Sequence, residues 1–91
     1  MDFDDKEQIV YWERGMQKIS QPTGFKLFKA IYEKQGKALP FPEAKRVTET
    51  KGKNGVSCII SRLRKDLTYN FPFEIKTEQK EGYCLVPKRR I

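Results

Sequence analysis

The hydrophobic pattern changes period at Tyr69-Asn70-Phe71-Pro72, and this constrains the fold more than any other feature of the chain. Before it, Val56, Ile60, Leu63 and Leu67 recur at helical spacing. At about 100° per residue they fall in one narrow sector, with Ile59 on its flank. After it, Phe73, Ile75 and Thr77 alternate with Glu74 and Lys76, the period of a strand. Glu78-Gln79-Lys80-Glu81 reads as a turn that Gly82 relieves, and Tyr83-Cys84-Leu85-Val86 returns as a second strand stopped by Pro87. An amphipathic helix over about 54–68, with Asn54 as its N-cap, therefore feeds a C-terminal hairpin over about 73–86.

The helix face opposite the apolar stripe carries Ser57, Cys58, Ser61, Arg62 and Lys65, with Arg64 at the edge. It is small and polar near its start and cationic further along. Small residues allow close approach to a groove, and the cations reach base edges or phosphates.

Upstream, Ser20-Gln21-Pro22-Thr23 is a helix start, with Pro pre-setting φ and Ser or Thr able to cap. Phe25, Phe28, Ile31 and Tyr32 share a face of a helix over about 22–35, closed by Gly36. Leu39-Pro40-Phe41-Pro42 reads as a turn into a second helix over about 42–48, with Ala44 and Val47 inward. The residues from Thr48 to Lys53 form a polar connection. Gln8–Trp12 and Met16–Ile19 read as a small hairpin, which gives the order ββ-α-α-α-ββ. Tyr11, Trp12, Phe25 and Phe28 are expected in the core, and Tyr83 is expected to tie the hairpin to the third helix. No repeat, low-complexity tract or linker divides the 91 residues, which suit one domain with a modest core.

The charge is uneven. The formal net charge is +7, yet residues 1–13 hold five acids against one base, a balance of −4, and residues 14–91 hold eighteen bases against seven acids, or +11. A basic body attracts polyanions, and nucleic acid is the commonest of them in cytoplasm. We expect residues 1–7 to be a flexible acidic leader, 8–87 the folded domain, and 88–91 a basic tail in which Lys88, Arg89 and Arg90 touch backbone or minor groove.

Several chemistries are excluded or disfavoured. The chain has no His, hence no His-based triad or His-ligated metal. Cys58 and Cys84 are too few for a disulfide framework and lack zinc-ligand spacing, so both are expected as reduced thiols. There is no GxxxxGK[ST] or GxGxxG. No apolar run approaches the ~18–20 residues of a membrane span, and the acidic start is not a signal peptide. The expectation is a cytoplasmic protein, nucleoid-associated when bound, that is not an enzyme and has no catalytic residue, metal, cofactor or membrane partner.

At this point the sequence resembles a known family. Val56-Ser57-Cys58-Ile59-Ile60-Ser61-Arg62-Leu63-Arg64-Lys65-Asp66-Leu67 resembles the recognition helix of the OmpR/PhoB-type effector domain of bacterial response regulators, whose pattern there is roughly V-D-V-H-I-x-R-L-R-x-x-L. Ile75-Lys76-Thr77 and Gly82-Tyr83-Cys84-Leu85 resemble its closing hairpin, and Ile19 through Tyr32 resembles its first helix. The resemblance spans about residues 8 to 87 and is to an effector domain without a receiver domain. It implies an α+β winged helix-turn-helix: short N-terminal strands, three helices and a hairpin wing, with helix three in the major groove and the wing on backbone or minor groove. The family's acidic residue in helix one is Gly24 here, its helix-three Asp is Ser57 and its His is Ile59. The wing's usual basic residue is Gln79, with Lys80 taking the cationic tip. These departures spare packing residues more than contact residues, so the fold transfers better than the target sequence.

The expected function is sequence-specific binding of double-stranded DNA by a transcriptional regulator, through Ser57, Cys58, Ser61, Arg62, Arg64, Lys65, Thr77, Gln79 and Lys80. Arg62 is the base reader, because its fork matches guanine O6/N7, and Arg64 a phosphate clamp. Thr77 matches a family phosphate contact. A homodimer or head-to-tail pair on direct repeats would supply specificity that one module lacks. The competing reading is a winged-helix adaptor that binds a protein partner and reads no DNA.

Overall fold

The computed structural model describes residues 1–49, 55–67 and 71–88. Among these the chain is a compact α+β fold with three helices and two small antiparallel sheets. The first sheet joins β1 (Asp2–Asp4), β2 (Ile9–Trp12) and β3 (Gly15–Lys18) in chain order. Helices α1 (Pro22–Glu33), α2 (Phe41–Thr48) and α3 (Gly55–Asp66) follow, with β4 (Leu39–Pro40) between the first two. The hairpin β5 (Phe73–Glu78) and β6 (Gly82–Pro87) completes a second sheet of order β4-β6-β5. Among the described residues no helix is long and apolar enough to cross a membrane.

The expectation of a flexible leader over residues 1–7 is corrected by the structure. Phe3 faces Val10 across β1–β2 and packs its ring on Phe25, Phe28 and Tyr32 of α1, at centroid distances of 6.0, 6.1 and 5.3 Å. Lys29 reaches Asp5 at 3.1 Å and lies 5.8 Å from the Phe3 ring centroid. An aromatic residue among acids is enough to fasten the segment, since a ring contact contributes beyond its buried area.

Pro22 stands in the first turn of α1 as expected, but Gln21 is the capping position and makes no side-chain bond. The helix ends at Glu33, earlier than expected, because Gln35 (φ 53°) and Gly36 (φ 89°) turn left-handed. Leu39 and Pro40 are strand as well as turn: they pair with Tyr83 and Gly82 and widen the hairpin to three strands. Gly82 permits this approach, since a Cβ there would stand 1.8 Å from the Leu39 carbonyl oxygen. Pro42 lies in the first turn of α2, whose Ala44 and Thr48 are buried and whose Val47 is half-buried. The N-cap expected at Asn54, most of the polar connection before it and Thr68 lie outside the described residues. So do Arg89, Arg90 and Ile91; Lys88 is not free tail, since its N–H donates to the Pro72 carbonyl.

One core joins the three helices to both sheets. Phe71, fully buried, stacks edge-on against Trp12 (5.0 Å) and Phe28 (5.5 Å) and meets Phe73 at 6.1 Å, so it joins the first sheet, α1 and the hairpin. Phe25 and Phe28 are buried and Trp12 half-buried, but Tyr11 is 36% exposed. Strand alternation turns Tyr11 to the same outer face as its partner Met16. Tyr83 is buried as expected, yet its ring meets Phe41 at the start of α2 (5.3 Å, 89°), so it anchors the hairpin to α2.

Candidate nucleic-acid interface

Val56, Ile60 and Leu63 seat α3 in the core, at 5, 2 and 1% exposure, and Ile59 and Leu67 are half-buried. The stripe therefore lies where the periodicity puts it. The opposite face is open: Ser57, Cys58, Ser61, Arg62, Arg64 and Lys65 are all exposed. At about 100° per residue, Cys58, Ser61, Arg62 and Lys65 share the outermost sector, while Ser57 and Arg64 lie on one flank.

Each flank of α3 is held by a polar tie. On one side the Arg64 guanidinium donates from Nε (3.2 Å) and Nη2 (3.0 Å) to the Ile75 carbonyl, and from Nη2 to the Thr77 hydroxyl (3.0 Å). On the other, Asp66 Oδ2 accepts from the Ser20 N–H and hydroxyl. Asp66 is the sole carboxylate of α3, and it is turned away to the flank. The outward sector is thus cationic without internal neutralisation. Arg64 and Lys65 also complement the partial negative charge at the helix C-terminus.

The structure gives Arg64 and Thr77, expected as two separate phosphate contacts, a bond to each other. Gln79 and Lys80 are exposed at the hairpin turn, where Lys80 adopts φ 67°. The described hairpin region is electrically balanced: Glu74, Glu78 and Glu81 match Lys76, Lys80 and Lys88, and Lys76 lies 3.8 Å from Glu78. Attraction for a polyanion therefore arises on α3 more than on the hairpin.

Sequence reasoning overlooked the surroundings of Arg64. An open trough of about 840 Å³ runs along the hairpin beside it, bordered by Lys76, Lys88 and Glu74. Alternation alone assigns Lys76 and Thr77 to opposite strand faces, so nothing in the pattern groups them. Lys45 and Arg46, exposed in the last turn of α2, were also passed over. A cationic pair after a Pro-started short helix was the available signal.

Both cysteines are free thiols, Cys58 exposed and Cys84 buried. Burial pushes the Cys84 thiol pKa up, and the Glu78 carboxylate, which accepts its S–H at 3.7 Å, raises it further. Among the described residues no group of three or more His, Cys, Asp and Glu side chains is placed to hold a metal ion. No family model, curated protein or solved structure matches the chain.

Proposed function

We propose that this protein is a winged helix-turn-helix that binds double-stranded DNA and regulates transcription, with α3 in the major groove and the β5–β6 hairpin as the wing. The observation that carries this reading is the outward sector of α3. Cys58, Ser61, Arg62 and Lys65 project from a helix seated by Val56, Ile60 and Leu63, uncovered by any described segment and free of acidic side chains. In this reading Arg62 addresses guanine in the groove, Lys65 and Lys80 neutralise phosphates, and Ser57 and Ser61 allow close approach. The positive body supplies sequence-independent affinity, and two copies on direct repeats supply useful specificity.

A gel shift of a random-sequence duplex at low salt tests it. A salt-sensitive complex is expected, and selection of bound oligonucleotides should then enrich a short motif. No complex at low salt would reject the reading.

The adaptor reading is favoured by a different observation. Tyr11 and Met16, 36% and 56% exposed, are cross-strand partners on the outer face of the first sheet. With a charge-balanced hairpin, that face suits a protein partner. Binding of a protein abolished by Met16→Lys, without any duplex binding, would support the adaptor instead.

A further inference from the structure

We infer that Arg64 is a positioning residue: through the Ile75 carbonyl and the Thr77 hydroxyl it fixes the angle between α3 and the β5–β6 hairpin. This inference rests on the DNA-binding reading for its use, but not for its geometry.

A guanidinium is a rigid, planar fork. Its donors are fixed in one plane, so two bonds to one carbonyl and a third to a hydroxyl on the same strand determine its orientation. Here Nε and Nη2 converge on the Ile75 oxygen at 3.2 and 3.0 Å, and Nη2 also reaches Thr77 Oγ1 at 3.0 Å. The acceptors belong to β5 and the donor to α3, and the chain between these elements passes through the core at Phe71. Ile75 and Leu63 are both buried, so apolar packing already brings the elements together. Apolar contact is non-directional, however, and leaves rotation weakly specified. The fork adds direction.

The tie bears on how α3 and the hairpin engage a duplex together. A recognition helix and a wing address different parts of a duplex, and both reach it only if their mutual angle is set beforehand. Flexibility at that joint would be lost on binding and would lower affinity. Charge is not the means by which Arg64 contributes, which separates it from Lys65 and Lys80. A lysine at 64 keeps the charge and loses the fork.

The test uses the full chain carrying Arg64→Lys, Arg64→Gln, Thr77→Val, or Arg64→Lys with Thr77→Val, with circular dichroism confirming that each folds. Residual dipolar couplings of backbone amides report orientation without DNA. In the wild type, α3 and the hairpin should fit one alignment frame; in Arg64→Lys and Thr77→Val they should need two. One frame retained in both variants overturns the inference. A second arm measures affinity for a duplex selected by the wild type across a salt series. Arg64→Lys and Thr77→Val should each weaken binding about tenfold, and the double variant should lose no more than either alone. Because no phosphate contact is removed, the slope of log K against log[salt] should stay unchanged in every variant, Arg64→Gln included. Full affinity in Arg64→Lys together with a slope shallower by about 0.9 in Arg64→Gln would make Arg64 a phosphate contact and overturn the inference. If the wild type binds no duplex, the DNA reading fails while the dipolar couplings still decide the geometry.

Discussion

Ser20 and Asp66, 46 residues apart in the chain, are joined twice: the Ser20 N–H (3.0 Å) and hydroxyl (2.8 Å) both donate to Asp66 Oδ2. The pair fastens the entry of α1 to the last turn of α3. It also explains a carboxylate where the helix dipole disfavours one, because the two donors offset that penalty. The sequence leaves Ser20 and Thr23 both able to cap α1; Ser20 reaches across the fold instead.

Asp66→Ala should therefore destabilise the protein, although removing an acid from a helix C-terminus favours the helix itself. The bonds are exposed, so the net loss should be about 0.5–1.5 kcal/mol, read from the urea midpoint at constant m-value. An unchanged or higher midpoint would mean that the tie does not hold α3.

Phe3→Ala tests the N-terminal segment. The half-buried ring meets three aromatics of α1, so truncation should cost about 1–2 kcal/mol. Asp5→Asn, which touches only the exposed pair with Lys29, should cost under about 0.5 kcal/mol. Equal stability of Phe3→Ala and wild type in thermal melts would return residues 1–7 to the status of a loose leader.

What could be foreseen follows from which interactions are local. The stripe Val56-Ile60-Leu63 and the alternation Phe73-Ile75 are written in neighbouring residues, so the period reveals both elements. The single Phe3 at the centre of β1 has no period to reveal it, and the aromatic rings it packs on lie more than twenty residues further along the chain. Likewise Leu39–Pro40 is too short for alternation, and its strand character exists only because Gly82 admits it. At the site, the outward sector of α3 was readable because a helix wheel fixes it. Arg64's partners were not, since a hydrogen bond to a distant carbonyl leaves no mark on composition. Tyr83 was legible as buried but not as the neighbour of Phe41, for the same reason.

Two glycines should respond oppositely to alanine. At Gly82 (φ 154°) a Cβ would overlap the Leu39 carbonyl, so Gly82→Ala should part β4 from β6 and cost about 2–4 kcal/mol. At Gly24 in α1 a Cβ meets only ordinary contacts, the nearest Ile19 Cγ2 at 3.6 Å, so Gly24→Ala should gain about 0.5–1 kcal/mol. Denaturant titrations of the two variants decide this, and a stabilised Gly82→Ala would contradict the strand pairing.

The two thiols should react at different times. Exposed Cys58 should be modified by a disulfide reagent in the native protein, and Cys84 only on unfolding. The sign of the pH effect follows from the raised Cys84 pKa, caused first by burial and then by Glu78. The folded state holds that proton more tightly, so the stability it contributes is complete below the unfolded thiol value of ~8.5 and is lost as pH rises through the folded one. The stability difference between wild type and Cys84→Ala should accordingly shift against the wild type above about pH 8.5. A difference independent of pH would show that Cys84 is not shielded.

Arg62 and Lys80 should divide the work of DNA binding. Arg62 lies in the outermost sector of α3, and Lys80 at the hairpin turn, so under the proposed function the first is expected to meet base edges and the second backbone. Arg62→Ala should lower discrimination between selected and random duplex about tenfold or more, because a bidentate contact to guanine contributes about 1–3 kcal/mol. Lys80→Ala should weaken all duplexes alike. With roughly five phosphates neutralised, log K for the wild type should fall with log[salt] at a slope of about −4 to −5. Lys80→Ala should make that slope shallower by about 0.9. Anisotropy titrations of both variants on both duplexes, at several salt concentrations, read all of these quantities. Equal losses on selected and random DNA for the two variants would reject the division, and would leave α3 a charged surface rather than a reader of sequence.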